Sequence, residues 1–281
     1  MRRGSEQYLN RNWDPMLATL RFTYHDVPCE LVVPSPTDHI ATLVTQTGTF
    51  YETDLLERLV ARLGHVDGII DVGAFCGNHT LFFRRFLGDQ VLALEPNPVA
   101  YDALLDTIAA NGLTYVTAVP VAMGDTDGTV RSQPREAGNL ASNTVTETPP
   151  GTGVRLTTLD TLVAEVWPTV RIGLLKIDVE GAEASVLRGA VNTIARHRPW
   201  LCIELATPQA LREVRGWLSA RGYLIAERFG FTPTYLIQPA PRWLASLGNL
   251  GWQLLARTGQ LRFLTHWYYG RLLRVLARPR S

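Results

Sequence analysis

Three carboxylates and the only lysine of the chain stand together in the segment LLKIDVEGAEASVLRG, residues 174–189. Lys176 and Asp178 end an apolar run typical of a buried strand, and Glu180 and Glu183 open a helical pattern. A carboxylate at a strand end can accept the proton of an attacking hydroxyl group. Asp178 is therefore a candidate catalytic base with Glu180 beside it, whereas Glu183 is expected to be a helix-start charge that favours the helix dipole.

Two questions stay open at this segment. Lys176 either pairs with a neighbouring acid or projects toward the acceptor substrate, and we keep it as a candidate catalytic residue. Glu204 ends the strand pattern LCIEL and is expected to contact the substrate in the same cleft. Asp178, Glu180 and Glu204 could instead bind Mg²⁺, which prefers oxygen ligands. A site without a metal is the favoured expectation.

A second group of chemically suited residues lies in IIDVGAFCGNHT and the strand pattern after it. Asp71 ends an apolar run, and Gly73 and Gly77 flank a turn into a helix, where glycine lets a ligand approach the backbone closely. Glu95 ends the next strand pattern and suits a bidentate hydrogen bond to two ribose hydroxyls. The spacing predicts a cofactor that contains a nucleoside, and a tight turn without a ligand is the alternative.

Phe75 discriminates between two cofactor classes. A dinucleotide site needs glycine at this second position of the turn, because the pyrophosphate lies against it. A phenyl ring would block a pyrophosphate, but S-adenosylmethionine contains none. The carboxylate of Asp71 can also help to hold the ammonium end of a methionine moiety. Asp178 is a second candidate for holding this ammonium group, as the alternative to its role as base. The turn therefore favours S-adenosylmethionine over a dinucleotide.

Short apolar strands alternate with amphipathic helices across the middle of the chain and predict a doubly wound, mostly parallel α/β sheet. YLIAERF and TYLIQP are predicted to close it as an antiparallel pair. Residues 20–50 indicate a small antiparallel lead-in. We predict one strand for YVTAVPVAMG, one helix for EGAEASVLRGAVNTIARH and a polar loop for residues 134–153. The expected units are a β-rich segment 1–50, a cofactor-binding domain 51–240 and a helical tail 241–281.

The motifs DVGA..G, EPNP and KIDVEGAE…L.GA occur in this order, and with them the chain resembles the FkbM family of S-adenosylmethionine-dependent methyltransferases from about Tyr51 to about Leu205. The resemblance implies a class I methyltransferase fold, Rossmann-like with seven strands. It also implies methyl transfer to hydroxyl groups of sugars, polyketides or related natural products.

The resemblance further implies a set of cofactor-binding residues. The residues implied near the methionine end are Asp71, Gly73, Ala74, Gly77 and Asn78. Those implied near the ribose are Glu95, Pro96 and Asn97, and those implied near the adenine are Ala122 and Met123. The family turn has asparagine and a small aliphatic residue where this chain has Phe75 and Cys76.

Acceptor binding is expected in the loop 134–153, which falls between the two halves of the sheet. Asn139, Ser142 and Asn143 offer short polar groups to a hydroxylated acceptor. An ordinary solvated loop is the alternative.

Composition and charge limit the class of protein, its location and its partners. The chain of 281 residues has 46% hydrophobic and 19% charged residues, which is typical of a globular protein. Its three cysteines show no zinc spacing or disulfide framework, and the N-terminus shows no signal peptide, so a cytoplasmic protein is expected. Residues 241–281 carry seven arginines and no acid, in a helical pattern suited to an anionic membrane surface, a partner protein or the chain's own domain. The acidic remainder argues against nucleic-acid binding.

These observations favour an S-adenosylmethionine-dependent O-methyltransferase that acts on a sugar, glycan or natural product. The alternatives are an N-methyltransferase with the same cofactor site and a binding module without catalytic activity. Binding of S-adenosylmethionine separates the third possibility from the first two.

Overall fold

A computed structural model of the chain describes residues 17–136, 139–149 and 153–240, with the backbone alone over 132–147. Its centre is a seven-stranded sheet. In spatial order the strands are β12 (Tyr223–Phe229), β13 (Thr234–Pro239), β11 (Trp200–Glu204), β10 (Ile172–Ile177), β3 (Val66–Val72), β4 (Gly88–Leu94) and β5 (Val116–Val119). Strand β13 runs antiparallel to both neighbours, and the other pairs are parallel. The predicted mostly parallel sheet with an antiparallel edge is confirmed.

Helices cover both faces of this sheet. They are α1 (His39–Thr47), α2 (Thr53–Leu63), α3 (Asn78–Phe86), α4 (Pro98–Ala110), α5 (Leu159–Val166), α6 (Glu183–Arg188), α7 (Val191–His197) and α8 (Pro208–Ser219). The neighbours Ile69 and Ile70 on β3 point to opposite sides, as strand geometry requires. Ile69 joins a core with the apolar residues of α2 and α3, and Ile70 joins one with those of α5 to α8. The sheet is thus doubly wound, and its strand ends are held between two packed layers.

The N-terminal lead-in differs in part from its prediction. Strands β1 (Ala18–Tyr24) and β2 (Val27–Val33) form the expected antiparallel pair. Residues 39–47, predicted to be extended, instead form α1, because Asp38 accepts a hydrogen bond from the Ile40 N–H at 2.8 Å and caps the helix. Gly48 ends it in the left-handed conformation. The lead-in packs on the main core through Tyr24, whose ring lies 5.2 Å from that of Phe86 on α3.

A second, four-stranded sheet corrects two other predictions. It has the order β6 (Val121–Gly124), β9 (Val154–Thr158), β7 (Gly128–Glu136) and β8 (Asn139–Glu147). The stretch predicted as one strand splits at Pro120, which has no N–H to donate to a ladder. Most of the loop predicted over 134–153 is instead the β7–β8 hairpin, in which Pro134 lies opposite Asn143.

Two findings concern the ends of the chain and membranes. Residues 241–281, for which a helical tail was predicted, lie outside the described residues. Within the described ranges, no helix is both long and apolar enough to cross a bilayer.

Candidate active site

A cleft of about 1320 Å³ opens along the carboxyl ends of the parallel strands. Ligands bind at this edge in doubly wound sheets, because strands that run in one direction end there together. Strand β3 contributes Gly73, β4 contributes Glu95, β10 contributes Asp178 and β11 contributes Glu204. These four of the strand-end residues singled out by the sequence therefore line one continuous space.

The turn after β3 is shaped by close backbone contact with the end of β10. Gly73 has a φ of +76°, and a Cβ at this position would overlap the carbonyl oxygen of Asp178. Phe75 also adopts a left-handed conformation, with a φ of +50°, and its ring lines the cleft. Its backbone N–H donates to Glu95 at 2.8 Å, which ties the turn to β4. Glycine is required here by packing as well as by any ligand.

Glu95 presents a buried carboxylate whose orientation is set by the backbone. One oxygen accepts the N–H of Asn97 at 2.7 Å, and the other accepts that of Phe75. Burial raises the pKa of Glu95 to about 7, although both backbone N–H groups act in the opposite direction. A carboxylate held in this way at the cleft wall can still accept two hydroxyl donors, because each oxygen has two lone pairs.

Behind the cleft wall, Lys176 links three groups. Its Nζ lies 3.0 Å from the carbonyl oxygen of Gly73, 3.2 Å from Asp71 and 3.4 Å from Asp178. Burial opposes the positive charge, but Asp71 and Asp178 outweigh it and hold the pKa of Lys176 above its usual range. Lys176 therefore stays protonated and orients Asp178. Lys176 and Asp71 do not line the large cleft.

Asp178, Glu180 and Glu204 form an acidic group near the ends of β10 and β11, which β3 separates from Glu95 at the end of β4. One oxygen of each lies within 4.8 Å of the others, so the three can supply ligands to a divalent cation, as the Mg²⁺ alternative requires. Burial, followed by the charges of Asp178 and Glu180, raises the pKa of Glu204 to about 8. Glu204 thus binds a proton far more readily than an exposed glutamate does.

The segment just before α2 adds two cleft-lining residues that sequence reasoning missed, Tyr51 and Glu52. The side chain of Asn78 accepts the Tyr51 N–H and donates to the Tyr51 carbonyl, both at 3.1 Å. His79 stacks on the Tyr51 ring, and its Nε2 lies 3.3 Å from Glu52. A carboxylate next to an aromatic residue just ahead of an amphipathic helix was the available signal, but its anchors lie 27 residues further along the chain.

The other predicted site residues divide between the cleft and its surroundings. Pro96, Ala122 and Met123 line the cleft; Ala74, Gly77, Asn78 and Asn97 do not. Asn97 instead caps α4 by accepting the N–H groups of Val99 and Ala100.

The predicted acceptor-binding residues Asn139, Ser142 and Asn143 lie on β8. Their strand belongs to the small sheet and not to a loop. Glu183 opens α6 as expected, but it is buried and accepts the Gly181 N–H at 2.8 Å, so it is not a solvated charge.

Comparisons with known proteins agree with this architecture. A family model described as "Methyltransferase FkbM domain" matches residues 71–225, more than half of the chain. "Methyltransferase sdnD" of Sordaria araneosa is 30% identical over an alignment of 162 positions, which covers 46% of this chain and 62% of that protein. The match therefore spans less than two thirds of the relative's length.

Two solved structures are similar at lower identity. The crystal structure of methyltransferase FkbM from Methylobacillus flagellatus has 18% identity and a TM-score of 0.48, over 62% of this chain and 43% of that one. Precorrin-6y C5,15-methyltransferase from Geobacter metallireducens has 14% identity and a TM-score of 0.42, over 68% of this chain and 89% of that one.

The strand order, the single reversed strand and the cleft at the carboxyl edge match the fold of class I methyltransferases. Within that class, the chain belongs to the FkbM methyltransferase family.

Proposed function

We propose that this protein transfers the methyl group of S-adenosylmethionine to a hydroxyl group of a sugar, a glycan or a related natural product. The observation that carries the proposal is one cleft lined by the fixed Glu95 carboxylate at the end of β4 and by Asp178 with Glu204 at the ends of β10 and β11. Hydroxyl methylation needs a cofactor site and a proton acceptor within reach of each other, and these two groups supply both.

The residues around the cleft fit S-adenosylmethionine. Glu95 offers two oriented oxygens to a ribose diol, and the apolar Ala122 and Met123, which line the same cleft, are the residues that we propose to pack on the adenine. Phe75 stands where a pyrophosphate would need glycine. The acidic group complements a cofactor that carries a sulfonium and an ammonium group. When bound, S-adenosylmethionine supplies a methyl group that is already activated for transfer.

Asp178 is the residue that we propose as proton acceptor. Its carboxylate is partly exposed to the cleft, with a side-chain exposure of 30%, and Lys176 holds it from behind at 3.4 Å. A positioned carboxylate that takes the hydroxyl proton during attack contributes roughly 10²–10⁴-fold to the rate. Lys176 acts through Asp178 as a positioning residue in this scheme.

Glu204 and Glu180 are proposed to contact the acceptor. Both line the cleft next to Asp178. A protonated Glu204 can donate a hydrogen bond to an acceptor oxygen, and an ionised Glu204 can accept one from a second hydroxyl. The acceptor is thereby oriented with one hydroxyl toward Asp178. Asn139, Ser142 and Asn143 remain proposed acceptor contacts on the basis of their residue types.

An N-methyltransferase is the second candidate, and the acidic group of the cleft is the observation that favours it. A protonated amine is attracted to carboxylates, whereas a hydroxyl group is neutral. Amino sugars and neutral sugars in one assay, with NMR identification of the methylated atom, separate the two functions.

The test of the main proposal uses the full chain and labelled S-adenosylmethionine with a panel of hydroxylated acceptors. We expect transfer to oxygen, and we expect Asp178→Ala to lower kcat at least ~10²-fold while binding of S-adenosylhomocysteine stays within a few fold. Full activity of Asp178→Ala would overturn its role as base. A wild-type chain that binds no S-adenosylhomocysteine would overturn the methyltransferase proposal.

A metal-free reaction is also part of the proposal. We expect turnover to persist in EDTA and to be unchanged by added Mg²⁺. Loss of activity in EDTA that Mg²⁺ restores would instead assign Asp178, Glu180 and Glu204 as cation ligands.

Residues 241–281 are proposed, from their sequence, to bind an anionic membrane surface or a partner protein. Flotation with anionic liposomes, with and without these residues, tests the membrane contact. Equal recovery of both chains would exclude it.

A further inference from the structure

The methionine part of the proposed cofactor carries an ammonium group. Asp71, the residue expected to hold this group, is already bonded to other residues of the chain. Asp71 is fully buried and outside the cleft. It accepts the Thr80 hydroxyl at 2.7 Å and pairs with Lys176 at 3.2 Å. Asp178, the other candidate, shares the same lysine. An incoming cation would compete with Lys176 at both carboxylates.

Glu52 meets the requirements better. Its carboxylate lines the large cleft, and it also lines a small adjoining hollow together with Lys176, Asp178 and Glu204. Glu52 therefore lies next to the end of β10. Among the described residues no lysine or arginine forms an ion pair with Glu52; its partner is His79 at 3.3 Å.

The backbone around Glu52 is held in an unusual conformation. Glu52 has a φ of +57°, a region that residues with a Cβ seldom occupy and that tends to persist where a site requires it. The two hydrogen bonds between the Asn78 side chain and the Tyr51 backbone, together with the stacking of His79 on the Tyr51 ring, hold this turn in place. The carboxylate is thus aimed from a fixed position and not from a mobile loop.

The ionisation of Glu52 agrees with a cation-binding role. Burial would raise its pKa, but the neighbouring His79, together with the charge of Lys176, brings the pKa below its usual range. A negative charge is therefore kept at this wall, whereas burial and neighbouring acids favour the protonated form of Glu204.

On the basis of the proposed function, we infer that Glu52 binds the ammonium group of the cofactor's methionine part. Asn78 and His79 act through Glu52 and Tyr51 as positioning residues. Asn78 was expected to bind the cofactor directly; here it shapes the site by fastening the segment before α2.

Calorimetry on the full chain tests this inference with two ligands. S-adenosylhomocysteine carries the ammonium group, and 5′-methylthioadenosine lacks the amino-acid part. We expect Glu52→Gln to weaken S-adenosylhomocysteine binding at least tenfold, which is about 1.4 kcal/mol, and to leave methylthioadenosine binding within twofold. Glu52→Gly should give the same result, and glycine adopts this φ without strain, so loss of folding does not confuse the outcome.

Asp54→Asn is the matched control, because Asp54 is a carboxylate on the same wall of the cleft. It should leave both affinities unchanged. The inference is overturned if both Glu52 variants bind S-adenosylhomocysteine as the wild type does, or if they lose affinity for both ligands equally. A wild-type chain that binds neither ligand would instead contradict the proposed function.

Discussion

Lys176 is the residue on which the geometry of the site depends most directly. Asp71 is fully buried, and its ion pair with Lys176 compensates its charge. Removing one partner of a buried pair leaves an isolated charge, which typically costs about 3–5 kcal/mol. We expect Lys176→Met to lower the free energy of unfolding by roughly this amount in urea denaturation.

The double variant Asp71→Asn/Lys176→Met is the control for this prediction. It removes the isolated charge, so it should be more stable than Lys176→Met alone. If the single variant unfolds at the same urea concentration as the wild type, the lysine does not hold this part of the site together.

Glu204 makes the stability of the protein depend on pH. Its pKa rises from 4.5 to about 8 on folding, so the folded chain binds more protons than the unfolded chain between these values. The stabilisation is complete below pH 4.5 and is lost as the pH rises through about 8. Glu204→Gln cannot lose a proton, and its melting temperature relative to the wild type should therefore be higher at pH 9 than at pH 5.

Thermal melts of both chains at the two pH values measure this difference. For a chain of this size, each kcal/mol corresponds to about 2–4 °C. An equal difference in melting temperature at pH 5 and pH 9 would show that Glu204 does not carry the pH dependence.

At the scale of elements, Gly189 explains why one predicted helix is two. A Cβ at Gly189 would overlap the carbonyl oxygen of Gly124 on β6, so the chain between α6 and α7 passes against the small sheet there. We expect Gly189→Ala to destabilise the fold by about 1–3 kcal/mol, as overpacking does. Gly216 lies inside α8 with open space around its Cα, and Gly216→Ala should instead stabilise by roughly 0.5–1 kcal/mol.

Urea unfolding of the two variants provides the comparison, because both make the same chemical change in a helical region. Destabilisation of similar size in both would mean that contact with β6 is not the reason for the break. The helical periodicity across 183–197 was correct as a local signal, and the break depends on a strand about 60 residues earlier.

The same division between local and long-range information holds for the other elements. Buried strands such as β3 and β10 were predictable, because short apolar runs bounded by turn residues reflect burial on both faces. α1 was missed although Asp38 and Gly48 are typical cap residues, since its apolar pattern also fits a strand. The β7–β8 hairpin was missed because its polar composition resembles a loop, and pairing stabilises it.

The candidate site was predictable where a strand end placed it. Gly73, Glu95 and Asp178 follow apolar runs, and parallel strands bring such ends together. Tyr51 and Glu52 were not predictable in this way, because only their contacts with Asn78 and His79 place them in the cleft. Nor does the sequence show that Asp71 is fully enclosed, since burial depends on packing from both sides of the sheet.

At the scale of the whole molecule, the cleft has one sign of charge. Among its lining residues in the described ranges there is neither lysine nor arginine, and seven are acidic: Glu52, Asp54, Glu95, Asp125, Asp178, Glu180 and Glu204. Carboxylates concentrated in a concave, partly apolar space produce a negative potential that extends beyond any single pair. Such a field favours cationic and neutral acceptors over anionic ones.

We therefore expect acceptor sugars that share one skeleton but differ in charge to differ in kcat/KM. An amino sugar and a neutral sugar should exceed the matching uronic acid by at least about tenfold at 0.1 M salt, where the screening length is about 10 Å. At 1 M salt the length falls to about 3 Å, so the disadvantage of the uronic acid should shrink. If the ratio is the same at both salt concentrations, contacts at the bound acceptor, and not the field of the cleft, set the preference.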